Sequence, residues 1–369
     1  MKLSRIGILT FHRSQNYGAV LQAYALSVFL NKNGFKAEII DYWPAEMQEF
    51  YRLIPNFRYR NLASKIKGIL LLLVGLRKEL KRRKGFFQFV HKHFNLTQEK
   101  YTQQQQLEPI AFDAVIYGSD QIWWKHPFTY TFDPVYWGTV PLSGKKIAYG
   151  ASCSSLDFSE QDYQFIAKML KNFDAIGVRE KVLADILASL SSKQISLVID
   201  PVFLLDKTDW LELIKESNLK LPQKPYLLFY HLNYNPETTS WVNTLAKQLN
   251  LNVIELRGRV FPLKFGSRYV QTASPIDFLN LLQNAQVVVS NSFHGTAFSV
   301  LFEKNFYVVG ANKGLHRMLN LLECIGLENR IVQSYNAIKF ESINFGEVRP
   351  KIKAWKQSSI NFLRENLNF

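Results

Sequence analysis

His294 stands where a strand hands over to a helix. Val287 to Val289 is a β-branched run that reads as a buried strand. The run breaks at Ser290-Asn291-Ser292, residue types that cap helices, and a helix-like stretch follows from Gly295 to Phe302. In open α/β sheets ligands bind beside the carboxyl ends of the strands, and free N–H groups at a helix start attract anions. A histidine placed there can donate, accept or carry a proton near neutral pH. The same residues also read as a capped turn with a half-buried histidine. This segment alone supports the two readings about equally.

Other strand ends carry polar groups that can converge with it. His12, Arg13, Asn16 and Gly18 follow the first strand. Gly18 permits close backbone approach, and the helix start beside it can receive an anion. Asn16 also reads simply as the cap of that helix. Arg179 follows a strand and opens a helix, where its planar fork suits a carboxylate or phosphate. As a surface residue it would pair with Glu180 or Asp185. Asp120, in Gly118-Ser119-Asp120, can hold a sugar hydroxyl or act as a base, or can be a turn residue capping a helix start. Asp200 precedes Pro201, a pairing that favours turns, and reads as structural. A metal and a dinucleotide are disfavoured. His91 and His93 lie in a basic stretch, Cys153 and Cys324 lack ligand spacing, and no G-x-G-x-x-G appears. A serine hydrolase is disfavoured too, because there is no G-x-S-x-G elbow.

The elements that must position these groups alternate. Strands are expected at Ile6 to Thr10, Ala37 to Ile40, Asp113 to Tyr117, Lys146 to Tyr149, Ala175 to Val178 and Ser196 to Ile199. Helices are expected at Ala19 to Lys32 and Phe158 to Phe173. Such βαβ units imply right-handed crossovers in a parallel sheet. Asp206 to Pro225 is more polar, and a second set of units begins at Tyr226 to Tyr230, with strands at Val253 to Leu256, Val287 to Val289 and Phe306 to Val309. The expected layout is an α/β domain at 1–210, a second at 222–345 and a final helix in 346–369. Two doubly wound, Rossmann-like domains facing a cleft would make a GT-B-like fold.

Composition narrows the setting. The chain has 369 residues, 47% of them hydrophobic, and no run near the roughly 20 apolar residues of a membrane span. Two cysteines make no disulfide framework, and the start Met1-Lys2-Leu3-Ser4 has no signal-peptide character, so a reducing cytoplasm is expected. The net charge of +15 is concentrated: residues 58–84 hold ten basic residues and one acid, Glu79. A nucleic-acid protein spreads its charge over a groove-fitting surface, so no nucleic acid is expected. Leu62, Ile66, Ile69, Leu73, Leu76 and Leu80 repeat at helical spacing within that segment. This basic amphipathic helix fits either an anionic membrane surface, with docking near the acceptor side, or a domain face with a solvated basic side.

Taken in order, six pieces resemble the polysaccharide pyruvyl transferase family. They are Asn16-Tyr17-Gly18-Ala19-Val20-Leu21-Gln22, Gly118-Ser119-Asp120-Gln121-Ile122-Trp123, Ile147-Ala148-Tyr149-Gly150-Ala151-Ser152, Gly177-Val178-Arg179-Glu180, Asp200-Pro201 and Ser290-Asn291-Ser292-Phe293-His294-Gly295. The resemblance implies a two-domain GT-B-like fold and transfer of pyruvate from phosphoenolpyruvate to sugar hydroxyls, often as a cyclic ketal. It implies His294 and Asp120 as catalytic residues. Arg179, Asn16, Gly18, Ser292 and Gly295 would lie on the donor side, and His12 and His231 on the acceptor side. No cofactor or metal is implied. Many family members carry an arginine where this chain has Ser292, and Arg317 or Lys313 are the expected replacements, with Arg257 and Arg259 as further candidates.

The acceptor would be a saccharide precursor of a cell-surface polysaccharide, lipid-linked, met at the inner face of the plasma membrane. A GT-B glycosyltransferase using a nucleotide sugar is the alternative enzyme. A saccharide-binding protein that retains the fold is the non-enzymatic one.

Overall fold

The computed structural model describes residues 4–53, 62–107, 111–126, 129–141, 144–310, 315–332 and 340–367, with backbone alone over 62–72. A first sheet contains β1 (Arg5–Leu9), β2 (Lys36–Tyr42), β3 (Leu96–Tyr101), β4 (Ala114–Tyr117), β5 (Lys145–Ala151), β6 (Ala175–Val178) and β7 (Ile195–Leu197). A second contains β8 (Tyr226–His231), β9 (Asn252–Arg257), β10 (Tyr269–Val270), β11 (Val287–Ser290) and β12 (Asn305–Val308). The helices are α1 (Tyr17–Lys32), α2 (Ala45–Phe50), α3 (Leu62–His93), α4 (Glu160–Leu170), α5 (Lys181–Leu190), α6 (Lys207–Ile214), α7 (Pro236–Gln248), α8 (Pro275–Asn284), α9 (Phe293–Leu301), α10 (Leu315–Ile325) and α11 (Phe345–Leu367).

Every strand pairing is parallel, and the orders are β3-β2-β1-β4-β5-β6-β7 and β10-β9-β8-β11-β12. Each sheet therefore reverses its winding direction once, between β1 and β4 and between β8 and β11. Those are the points where open α/β sheets leave a crevice for ligands. The central strands are apolar and buried on both faces, as helices on both sides require: β4 is Ala-Val-Ile-Tyr and β11 is Val-Val-Val-Ser.

The sheets face each other across helices. Tyr17, at the start of α1, stacks on Phe278 of α8 with ring centroids 4.9 Å apart. Its hydroxyl donates to Ala273 O at 3.2 Å and accepts from Arg82 of α3 at 2.6 Å. One apolar core runs through α1, α8, α9 and Trp210. Trp210 belongs to α6, within the polar stretch 206–225 expected to separate the halves.

The basic segment departs from expectation in three ways. Its helix continues to His93. It bridges the two halves instead of lying on one domain face. Two of its cations face inward: Arg82, 2% exposed, donates to Gln15 O and Gly258 O, while Lys78 donates to Lys264 O and Gln271 Oε1. The side chains of Leu62, Ile66 and Ile69 lie outside the described residues. Leu73 and Leu80, by contrast, are exposed.

The last helix returns to the first sheet. Ser359 of α11 accepts from Ile199 N at 2.8 Å, and Phe362 packs against Gly177 of β6.

Candidate active site

The two switch points meet at His294. Ser292 caps α9 by accepting from Gly295 N, and His294 sits in the first turn of that helix, 6% exposed. Opposite it, Asn16 caps α1 by accepting from Gly18 N at 3.0 Å. A Cβ built on Gly18 would lie 1.9 Å from His294 Nδ1, so the imidazole rests on bare backbone of the other half. Gly295 is held as closely, since its Cβ would fall 2.3 Å from Ser290 Oγ. Both glycines are therefore required by approach, not by backbone angle.

The other ring nitrogen faces a carboxylate. His294 Nε2 lies 3.5 Å from Asp200 Oδ2. Asp200 does caps-work as its sequence suggested, since Oδ1 accepts from Val202 N. Its second oxygen does more, receiving Arg179 Nη1 and the Ser119 hydroxyl. Burial raises the Asp200 carboxyl, but His294 and Arg179 outweigh it and hold the group well below the ordinary carboxylate range. Asp200 is the site residue that sequence reading assigned to a turn. The visible signal was its place in the ordered set of family-like pieces.

Arg179 is a buried fork with donors to spare. It is 2% exposed, its guanidinium lies over the Phe293 ring at 4.6 Å, and its Nε stands 3.6 Å from Glu180 Oε1. Nε and Nη2 have no hydrogen-bond partner among the described residues. Glu180 is anchored by the Ser152 hydroxyl at 2.8 Å; burial raises its carboxyl, and the nearby arginines Arg179 and Arg317 only partly oppose this.

Arg317, from the first turn of α10, joins this cluster. Burial lowers its guanidinium first, and the adjacent Arg179 lowers it further. With the Gln121 amide turned to suit, its carbonyl oxygen accepts from Arg317 at 2.6 and 3.2 Å, and Arg317 Nε has no partner among the described residues. Asp200, Glu180 and Asp120 offset the repulsion at Arg179 and hold its guanidinium above the ordinary value, while Glu180 and Asp120 only partly offset it at Arg317. Lys313 lies outside the described residues.

Asp120 follows β4 in a left-handed conformation, φ 80°, and is 7% exposed. Its carbonyl accepts from Ile122 N and Ser152 N, tying the loop after β4 to the end of β5. Its charge reaches Arg179 and Arg317. Tyr51, after α2, also belongs here and was missed: burial and then Asp120 push its phenol up to about 12. Gln22 braces the floor, accepting from Ser119 N at 3.1 Å and donating to Thr10 Oγ1 at 3.0 Å.

The two expected acceptor histidines are not brought to this cluster. His12 is fully buried between Thr10 O at 3.1 Å and Asp41 at 3.0 Å. His231 is 2% exposed, held by Asn233 O at 3.2 Å and Glu255 at 3.0 Å. Both rings have spent their nitrogens on braces within their own sheets.

Two doubly wound parallel sheets meeting at their switch points define a GT-B-like enzyme fold. The S. aureus MnaA–UDP structure aligns with a TM-score of 0.50 over 100% of this chain and 97% of that one, at 13% identity. The UDP-GlcNAc 2-epimerase of Methanocaldococcus jannaschii aligns at 0.47 and 10% identity, covering 95% and 92%. The glycosyltransferase SnogD of Streptomyces nogalater aligns at 0.39 and 9%, covering 98% and 96%. No curated protein sequence matches the chain. The polysaccharide pyruvyl transferase family profile matches residues 16–312, and the chain belongs to that family.

Proposed function

We propose that the chain transfers the pyruvyl group of phosphoenolpyruvate to two hydroxyls of a saccharide, forming a ketal. The observation that carries this reading is the pairing of Arg179 and Arg317, with unpartnered N–H groups, beside the His294–Asp200 couple. Phosphoenolpyruvate brings a carboxylate and a phosphate, which suit two arginines. Arg179 is the carboxylate clamp in this reading, and Arg317 supplies the cation that Ser292 does not.

The chemistry needs a proton on the methylene carbon, which becomes the methyl group and leaves C2 electrophilic. One sugar hydroxyl adds to C2, and the C2–O bond to phosphate breaks. A second hydroxyl then closes the ring. One hydroxyl proton ends on carbon and the other on the released phosphate. His294 moves these protons, and the buried Asp200 charge stabilises the ring when it is cationic. Asp120 orients the acceptor hydroxyl.

The test is purified chain with phosphoenolpyruvate and candidate saccharides. Expected are phosphate release and an acceptor heavier by one pyruvate less one water. Turnover of a nucleotide sugar with no use of phosphoenolpyruvate would overturn the reading in favour of a glycosyltransferase.

The acceptor is a lipid-linked precursor in this reading, and the reaction is cytoplasmic, where phosphoenolpyruvate is available. Among the described residues no helix is long and apolar enough to cross a membrane. Support for surface contact comes from α3. Leu73, Leu80 and Phe87 are 63%, 48% and 57% exposed and repeat every seven residues, with exposed Arg77, Lys81 and Lys84 between them. Each such cation contributes about 1 kcal/mol near an anionic surface, enough together for reversible docking. Replacing the three apolar residues with serine should abolish sedimentation with anionic liposomes; unchanged sedimentation would remove the membrane from the scheme.

A further inference from the structure

A second pocket lies beside the site, on the β2–β3 side of the first sheet, with a volume of about 390 Å³. That is within the roughly 300–1,000 Å³ of small-molecule sites. Its floor is Phe11, Tyr42 and Tyr136, with Phe11 edge-on to Tyr136 at 5.1 Å. Trp124 and Phe132, both half-buried, form walls. Gln103, Gln104 and Gln105 form the rim.

Four strand ends feed it: Phe11 follows β1, Tyr42 ends β2, Gln103 follows β3 and Ile122 follows β4. It thus opens on the same carboxyl edge as the catalytic cluster. The two share a wall, because Ile122 N donates to the Asp120 carbonyl at 2.8 Å.

Its chemistry is the reverse of its neighbour's. Among the described residues no lysine or arginine lines it, in a chain with 45 of them, and its charged groups are Glu46 and Asp133, beside the imidazole of His126. Asp133 is fixed, accepting from the Tyr42 hydroxyl and from Val135 N, each at 3.0 Å. A phosphate or carboxylate ligand is therefore repelled. Aromatic faces between carboxamides and a fixed carboxyl suit a neutral polyol: the rings take the C–H faces of a sugar and the amides take hydroxyl pairs.

We propose that this pocket binds a neutral saccharide, and that its occupant is the part of the acceptor lying beyond the sugar that reacts. The second half of that statement rests on the pyruvyl-transfer reading; the first does not.

The experiment is a titration of the full chain, without phosphoenolpyruvate, against neutral mono- to tetrasaccharides of glucose, galactose, mannose and N-acetylhexosamine. Binding is followed by saturation-transfer NMR and tryptophan fluorescence. An oligosaccharide is expected to bind more tightly than its monosaccharides. Trp124→Ala should weaken it roughly tenfold, the scale of one aromatic contact, and Gln105→Ala, which removes an amide from the exposed rim, should weaken it about threefold. His294→Ala should leave it unchanged. Absence of binding across the panel, or binding equal in parent and both variants, overturns the pocket. Binding that persists while no acceptor releases phosphate from phosphoenolpyruvate keeps the pocket and removes the pyruvyl-transfer reading. Phosphate release with the same KM for short and long acceptors, in parent and variants alike, does the opposite.

Discussion

Among the described residues four histidines face a carboxylate; His93 meets Glu216 on the flank of α3, and the other three pairs, at the ends of strands, are of two kinds. His12–Asp41 and His231–Glu255 are made within one sheet, each at 3.0 Å, between the first strand's end and the strand beside it. His294–Asp200 is made between the halves, at 3.5 Å, with the ring's other side against Gly18. The two braces also differ from each other. Arg13 closes around both oxygens of Asp41 at 2.5 Å, whereas Arg257 and Arg268 stand 3.6 and 3.7 Å from Glu255. The lesson is that a histidine and an acid at a strand end are, by themselves, a repeated device for locking a sheet edge. In the proposed reading, chemistry falls to the pair for which one half supplies the ring and the other supplies its partner and its resting surface.

His294→Ala tests that contrast with the largest expected effect. Turnover should fall by roughly 10²-fold or more, as when a proton-transfer group is lost, with little change in Tm. Near-normal turnover would remove the pair across the halves from the mechanism. Gly18→Ala tests the same contact from the other side. The added methyl must displace the imidazole, so kcat should drop roughly tenfold or more in a folded protein. An unchanged kcat would show that the ring's seat on α1 is irrelevant.

Arg179→Lys should come next. Lysine lacks the planar fork, so the affinity for phosphoenolpyruvate should fall roughly tenfold while acceptor binding holds. Calorimetric titration decides it, and unchanged donor affinity would end the clamp assignment. His12→Ala should do the reverse of His294→Ala. It should lower stability by about 1–3 kcal/mol, because Asp41 loses a buried partner, and leave the turnover of folded protein intact. Loss of turnover at an unchanged Tm would erase the distinction between brace and catalyst.

Acidity gives the smallest effect and separates two carboxyl groups by sign. Burial raises Asp41, but Arg13 and His12 hold it well below the ordinary range. Its stabilising contribution is present above an unfolded value of about 4 and is lost as pH falls below that. Burial pushes Asp133 up to about 6. Its folded form prefers the proton, so stability declines as pH rises from about 4 towards 6 and is level above. Asp133→Asn should therefore raise Tm at pH 7 and not at about pH 3, where both states are largely protonated. A Tm gain independent of pH would contradict this.

Much of the architecture was legible because buried parallel strands write continuous apolar runs. Val287 to Val289 and Ala175 to Val178 fall within strands as read. β3 was not legible: Leu-Thr-Gln-Glu-Lys-Tyr is an edge strand, mostly exposed, and carries no apolar run. At the site, local signals succeeded where the job is local, as with the caps Asn16 and Ser292. They failed where one side chain serves two masters. Asp200 is a turn residue by one oxygen and a site residue by the other. Arg82 sits in a basic run like its neighbours, yet Tyr17 and Phe86 lie 4.9 Å from its guanidinium and take it inside, which no spacing reveals.

The returning helix α11 ties the order of synthesis to the order of assembly. Arg179 and Asp200 are made before His294, and Ser359 after all of them. Yet Ser359 accepts the N–H of Ile199, the residue beside Asp200. A chain stopped short of that serine exchanges this hydrogen bond for water, at about 1 kcal/mol, at the residue next to the carboxylate that faces the histidine. Helix α11 thus holds the proposed site from far along the chain: a product stopped before it keeps Arg179, Asp200 and His294 and lacks this support.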